Sequence, residues 1–253
     1  MTWHRSNNHL GRDSLSGRHI LPAHILLNSS RLLREGYLPE QVYNADETGI
    51  YYKMLPDKML AVKSNEHRKE GFKAIKERLT LLFCVKKTGS HKLKPLCIGK
   101  SCQPRRFHHI NLKSLPFVYV NSKNAWMTSA IFAEWFQSEF VPSVRKHLRS
   151  LKLPGKAVLL LDNCPAHPPA DTLKSRDGLI TTSLIQPLDQ GIIATFKKLY
   201  KRKPVTNIIL TDTPVTDFLK SMSIKNFFYI GQTAVQPGKP SPHPQLKDAG
   251  CEA

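Results

Sequence analysis

Acidic residues are scarce in this sequence, and long apolar runs are missing. The 253 residues include 19 Asp and Glu against 38 Lys and Arg, which gives a formal net charge of +19. No run approaches the roughly 18 apolar residues that a membrane span needs, and residues 1–18 contain no apolar core like that of a signal peptide. We therefore expect a soluble intracellular protein with a polyanionic partner, and nucleic acid is the simplest such partner.

Cysteine is also sparse, and its spacing is irregular. An odd number of five cysteines fits neither a disulfide framework nor a zinc-binding pattern, so we expect reduced thiols. Hydrophobic residues make up 40% of the chain, which is enough for one folded domain with a real core.

Two acidic residues each follow a short stretch that is predicted to be a strand. Ala157–Leu161 is a continuous apolar run, and Asp162 follows it directly. Residues 41–45 form a second predicted strand before Asp46, and residues 50–52 can continue it. Acids at strand ends face the crevice where open α/β sheets bind ligands. The alternative is structural, because Asp162 and Asn163 can simply cap a turn.

The remaining elements are predicted from apolar periodicity. Further strands are expected at residues 79–85, 94–98 and 116–120, with a hairpin between the first two. A helix capped by Thr128 or Ser129 should be kinked or broken at Pro142. Two more helices are expected at residues 168–176 and 189–202, and a modest helical pattern covers residues 215–235.

Five motifs, in this order, resemble the transposase domain of the pogo/Tigger group, to which jerky and centromere protein B also belong. They are Asn44–Gly49, Lys92–Lys100, Ala125–Thr128, Leu160–Pro168 and Leu184–Ile192. The resemblance covers about Tyr37 to Lys203. It implies an α/β, ribonuclease H-like mixed sheet flanked by helices, as does the order of the predicted elements.

The resemblance also implies a DDE site in which three acids hold two divalent ions, Mg²⁺ or Mn²⁺. The acids map onto Asp46, Asp162 and Asp189. Such ions prefer oxygen ligands and clamp the attacking and leaving oxygens of a phosphoryl transfer. In addition, Asn163 could orient Asp162, and His167 could contact phosphate.

The sequence departs from the family pattern between Asp162 and Asp189. Relatives carry an apolar strand and a Pro-Pro-Asn turn there, whereas residues 177–180 run straight into Thr181. One core strand is therefore expected to be missing. A misplacement of about 1 Å can lower a rate a hundredfold, so we expect the domain to be catalytically inactive.

Basic residues dominate one long segment. Between Arg78 and Ala133 there are ten Lys and Arg and no Asp or Glu. Phosphate contacts from such a segment bind nucleic acid without reading its sequence, although a merely solvated basic face is the alternative. The predicted contacts are Lys86, Lys87, Lys92, Lys94, Lys100, Arg105, Arg106 and Lys113. Residues 197–203 are either a nuclear import signal or the cationic end of a helix.

These observations predict a domain organisation and three candidate functions. Residues 1–30 should be a weakly ordered extension, 31–203 the DDE domain, 204–235 a helical remnant and 236–253 a disordered tail. Only about 40 residues precede Asp46, with no paired helices for sequence-specific recognition. We expect a nuclear, domesticated transposon-derived protein that binds DNA largely without sequence specificity. The alternatives are metal-dependent DNA strand cleavage and transfer, or a protein-interaction fragment without maintained function.

Overall fold

The computed structural model describes residues 34–54, 77–108, 110–162, 164–169, 172–173, 179–183, 191–211 and 214–235. The strands are β1 (Val42–Tyr51), β2 (Arg78–Lys86), β3 (Leu96–Gly99), β4 (Val118–Asn121), β5 (Ala157–Leu161) and β6 (Leu179–Ser183). The helices are α1 (Ser129–Trp135), α2 (Val141–Ser150), α3 (Ile192–Thr211), α4 (Val215–Ser221) and α5 (Ile224–Val235). None of the helices within these ranges is long and apolar enough to cross a membrane.

The strands form one mixed sheet in the order β4-β3-β2-β1-β5-β6. Strand β2 runs antiparallel to β1 and β3, whereas β1, β5 and β6 are parallel to one another. Without the edge strand β4, this is the strand order and direction of the ribonuclease H-like fold. The predicted fold class is confirmed.

Strand β6 corrects the expectation that a core strand is missing. Its five residues pair in parallel with all of β5, from Ala157 opposite Leu179 to Leu161 opposite Ser183. Thr181–Ser183 was interpreted as part of the motif that follows the strand, but it completes the strand itself. The physical reason is that Ile and Thr are β-branched residues that favour strands and that β5 offers a free edge for pairing.

Helices cover both faces of the sheet. One core cluster joins Tyr43 and Ala45 of β1 to α1 and α2, and it includes Phe132 and Phe136. A second cluster on the other face joins β1 and β2 to α3 and α5. Because side chains alternate along a strand, odd-numbered residues of β1 face α1 and α2, and even-numbered residues face α3.

The predicted helices are mostly present, with different bounds. The Thr128 side chain accepts a hydrogen bond from the Ile131 amide, which confirms it as the N-cap of α1. A π-helical segment, Phe136–Phe140, connects α1 to α2 just before Pro142, where a kink was expected. Residues 168–169 and 172–173 of the predicted helix 168–176 are not helical.

The residues after the predicted domain belong to the same core. Phe227 and Phe228 of α5 are fully buried, and Phe228 stacks on Phe117 with ring centroids 5.0 Å apart. The predicted remnant at 204–235 therefore packs as part of the second core cluster. The predicted extension at 1–30 and tail at 236–253 lie outside the described residues.

Candidate active site at the carboxyl edge of the sheet

Asp46 lies within the central strand rather than at a strand end. Strand β1 continues for five residues beyond it, to Tyr51, because Glu47–Tyr51 keep pairing with β2. Only 5% of Asp46 is exposed. The alternation of β1 places it on the same face as Ile50, which contacts the cluster under α3.

Asp162 is the first residue after β5, as predicted from the sequence. The parallel pairing of β1 with β5 places Asn44 opposite Leu160. Asp46 and Asp162 each follow this pair by two residues, so both lie toward the edge where the parallel strands end. The Asp162 side chain is 47% exposed, and its carboxylate contacts His167. A site shared by Asp46 and Asp162 stays a prediction.

His167 connects the loop after β5 to β1. Its Nε2 lies 2.8 Å from Glu47 Oε1, and its Nδ1 lies 3.1 Å from Asp162 Oδ1. The ring also packs on Phe132 of α1 with centroids 4.6 Å apart. Only 5% of the His167 side chain is exposed. The predicted contact of His167 with phosphate is thus not the contact that the structure shows.

The surroundings of His167 favour its charged form. Burial lowers its pKa, but the hydrogen bond and charge of Glu47, together with the charge of Asp162, raise the pKa above its usual value. An imidazolium donates from both ring nitrogens, and each nitrogen here faces a carboxylate. The three side chains therefore form an ion-paired bridge across the β5 loop.

Donor atoms of Glu47, Asp162 and His167 all lie within 4.8 Å of one another, which is close enough to suggest a metal site. The imidazole, however, contacts the two carboxylates through different nitrogens, and one ion binds only one nitrogen of a ring. This arrangement favours the hydrogen-bonded bridge over a three-ligand metal centre. The carboxylates of Asp46 and Asp162 remain suitable for Mg²⁺ or Mn²⁺, which prefer oxygen ligands.

Asp189, the third predicted acid, and Asn163 lie outside the described residues. The elements that flank Asp189 are described. Strand β6 ends at Ser183 beside the end of β5, and α3 begins at Ile192 on the face toward which Asp46 points. In the sequence, Asp189 lies between these two elements.

The eight predicted basic contacts fall into different environments. Lys87, Lys92, Lys100, Arg105, Arg106 and Lys113 are exposed. Lys94 donates to the Lys113 carbonyl at 3.1 Å, and burial lowers the pKa of this amine. Lys86 is 3% exposed, and its ammonium donates to His147 Nε2 at 3.0 Å. Lys86 is therefore buried in the fold, and Lys94 is hydrogen-bonded to the chain at a partly exposed position.

The hairpin that carries Lys86, Lys87 and Lys92 lies at the opposite end of the sheet from Asp162. Lys86 pairs with Tyr43, near the beginning of β1. His91 of the same hairpin stacks on His147 of α2 with centroids 4.1 Å apart. Lys100, Arg105 and Arg106 follow β3, whose last residues lie toward the other end, near the end of β1. The basic segment is thus distributed over two ends of the sheet.

The basic run at residues 197–203 lies in the middle of α3, which extends from Ile192 to Thr211. Its interpretation as the cationic end of a helix is therefore wrong, because the helix continues for eight residues beyond Lys203. The import-signal interpretation stays a prediction.

Sequence reasoning did not assign a role to Glu47. The signal was present, because Glu47 follows Asp46 directly and adjacent strand residues point to opposite faces. An Asp-Glu pair in a central strand therefore places one carboxylate on each side of the sheet. What the sequence could not show is that the β5 loop brings His167 to Glu47.

Comparisons with known proteins agree on one family. A family model described as DDE superfamily endonuclease matches residues 76–241. Jerky protein of Mus musculus is 44% identical over 178 residues, covering 67% of this chain and 31% of its own. Tigger transposable element-derived protein 7 of Homo sapiens is 40% identical over 179 residues, covering 64% of this chain and 32% of its own. The chain spans about a third of the length of these relatives.

The fold also resembles solved transposase structures at low sequence identity. The Mos1 mariner paired end complex with Mn aligns with a TM-score of 0.43 and 12% identity, covering 89% of this chain and 64% of that chain.

Proposed function

This chain belongs to the DDE superfamily endonuclease family, and on that basis we propose that it binds DNA and holds divalent metal ions at Asp46 and Asp162. Asp189 is the third ligand in this proposal. The proposal is supported by the parallel pairing of β1 with β5, because Asp46 and Asp162 each follow the paired residues Asn44 and Leu160 by two positions.

Mg²⁺ and Mn²⁺ would supply charge neutralisation and an activated oxygen at a phosphodiester. The protein's own part is to keep the two carboxylates adjacent. Strand β1 fixes Asp46, because it is paired on both sides within the sheet. The bridge from His167 to Glu47 fixes the loop that follows Asp162.

DNA binding is proposed from charge and family together. The chain carries a formal net charge of +19, and the exposed basic residues Lys100, Arg105 and Arg106 lie toward the end of β1. Contacts of this kind bind the phosphate backbone without sequence preference. Nuclear localisation is part of the proposal, with residues 197–203 as the import signal.

Strand cleavage is the second candidate. The expectation of inactivity depended on a missing core strand, and β6 removes that reason. The described sheet includes β6, which lies between β5 and α3 in the chain. This observation favours metal-dependent cleavage over binding alone.

The test is nicking of a supercoiled plasmid in Mg²⁺ or Mn²⁺, with DNA binding measured in parallel without metal. We expect the parent to nick and the Asp46→Asn and Asp162→Asn variants to lose nicking by at least a hundredfold, while all three bind DNA. Glu134→Gln removes an exposed acid of α1 and should have no effect. Binding without nicking in the parent would leave only the DNA-binding function. Nicking that survives Asp162→Asn would contradict the acid assignment.

A further inference from the structure

The turn before α1 holds a tryptophan outward in an unusual conformation. Trp126 is 57% exposed, the largest exposed aromatic side chain in the described part of the chain. Ala125, directly before it, is fully buried and has a φ of 54°. A non-glycine residue in the left-handed region costs about 1–2 kcal/mol, and such strain persists only where the surrounding structure imposes it.

Ser122 imposes this conformation. Its hydroxyl donates to the Trp126 carbonyl at 2.8 Å and accepts from the Trp126 amide at 2.8 Å. The Ser122 amide in turn donates to the Gly99 carbonyl at the end of β3, and Thr128 starts α1 two residues later. The backbone that carries the indole is therefore attached to the sheet and to a helix.

A cation lies against this indole. The Arg78 guanidinium carbon is 4.9 Å from the centre of the Trp126 ring. On its other side, Arg78 approaches Gly49 so closely that a Cβ there would lie 3.0 Å from one guanidinium nitrogen. The Arg78 Nε is buried without a hydrogen-bond partner among the described residues. An arginine that is only partly buried and is held between a glycine and an aromatic ring is suited to bind an anionic ligand through its guanidinium.

The pair lies next to the acidic edge. Arg78 is opposite Tyr51 in the sheet, on the face of β1 that also carries Gly49 and Glu47. The Arg78 guanidinium lies against Gly49, two residues from Glu47 along β1. Two residues along a strand span about 7 Å, which is about one nucleotide's width. Trp126 precedes α1, whose Phe132 packs on His167. Both residues thus border the same edge.

We propose that Trp126 and Arg78 form a subsite for an unpaired nucleotide, in which the indole stacks on the base and the guanidinium binds the adjoining phosphate. This inference rests on the proposed function, since it places the nucleotide next to the acids. The subsite would give the protein a preference for unpaired DNA. Phosphate contacts from the basic surface do not provide this preference by themselves. An aromatic ring does, because only an unpaired base offers its face for stacking.

The test compares two DNA probes in EDTA, so that it does not depend on metal or cleavage. One is a blunt duplex, and the other is the same duplex with a short unpaired 3′ extension. The parent should bind the extended probe more tightly. Trp126→Ala should remove roughly tenfold or more of that preference, in line with the loss of one stacked base. Trp126→Phe should restore most of it, because the backbone brace and a ring remain.

Control variants distinguish base stacking from the loss of any exposed apolar side chain and from the loss of a general phosphate contact. Leu112→Ala removes a similarly exposed apolar side chain elsewhere and should leave the preference intact. Arg78→Gln should weaken binding of the extended probe, whereas Arg106→Gln should weaken both probes equally. Equal binding of both probes by the parent, or a preference unchanged in Trp126→Ala, would overturn the subsite. Nicking that fails while the preference persists would overturn the proposed cleavage and not this subsite.

Discussion

At the scale of single residues, the position of the β5 loop depends on the side-chain contacts of one histidine, to which the sequence assigned only a minor role. His167 contacts Glu47 and Asp162 and is nearly buried. The loop it belongs to contains Pro165, Pro168 and Pro169, and prolines provide no amide donor. The His167 side chain therefore supplies contacts to the sheet that the proline amides cannot make.

The bridge predicts a pH-dependent stability. The folded-state pKa of His167 is raised above its usual value. Its charge therefore stabilises the fold fully below the unfolded-state pKa of about 6.5, and this contribution is lost as the pH rises through the folded-state pKa. His167→Gln should lower the free energy of unfolding by about 1–3 kcal/mol at pH 5.5, and by less at pH 8.5.

Urea denaturation at the two pH values measures this difference. His108→Gln, at an exposed histidine, serves as the control and should change little at either pH. A difference between parent and His167→Gln that grows from pH 5.5 to pH 8.5 would contradict the ion-paired bridge.

At the scale of elements, the last helix is tightly fitted to the core. Gly231 of α5 lies over Phe117, and a Cβ added there would be 2.9 Å from the end of the phenyl ring. Phe117 itself is fully buried and packs against Phe227 and Phe228. Contact at this distance requires the ring to move within a packed cluster.

This close fit predicts that a Gly→Ala substitution affects the free energy of unfolding differently at Gly231 and at Gly155. Gly231→Ala should lower the free energy of unfolding by about 1–3 kcal/mol, because overpacking exceeds the gain of up to about 1 kcal/mol in helix propensity. Gly155→Ala is the matched control, since nothing lies within 4 Å of its added Cβ. Chemical denaturation of both variants gives the answer. A Gly231→Ala variant as stable as Gly155→Ala would show that α5 does not pack as described.

Some of these elements could be predicted from the sequence, and others could not. The apolar run Ala157–Leu161 predicted β5 with its correct bounds, because a strand buried on both faces needs no alternation to be recognised. Strand β6 was not predicted, since its Thr-Thr-Ser half is polar and is held by pairing with β5. The sharing of one site by Asp46 and Asp162 stays a prediction, and the mid-strand position of Asp46 was not foreseen because it depends on β2, which pairs with residues beyond it.

Other residues could not be inferred because they depend on long-range packing. The contact between Glu47 and His167 helps to hold the β5 loop, and these two residues are 120 positions apart in the sequence. The position of Lys86 beneath α2 likewise depends on His147, 61 residues away. Charge patterns gave the correct net sign of the surface, but they could not show that Lys86 is buried against His147 or that Lys94 donates to the Lys113 carbonyl.

At the scale of the whole molecule, the sheet separates two kinds of surface. Acids and the Arg78–Trp126 pair border the edge where β1, β5 and β6 end. The hairpin with Lys87 and Lys92 is fixed to α2 at the other end through His91 and His147. From Phe140 to Leu161 the sequence has no Asp or Glu, so this second end is basic as well. A DNA segment at the acids would leave the hairpin end open to further phosphate contacts.

Thermal melting with Mg²⁺ or Mn²⁺ tests whether Asp46 and Asp162 share a divalent metal ion. A ligand at 100 times its Kd stabilises a fold by about 2.7 kcal/mol, which should raise the melting temperature of the parent by several degrees. Asp46→Asn and Asp162→Asn should lose this shift, and Glu134→Gln should retain it. A parent whose melting temperature does not respond to either ion, or a shift that persists in both Asn variants, would contradict the account.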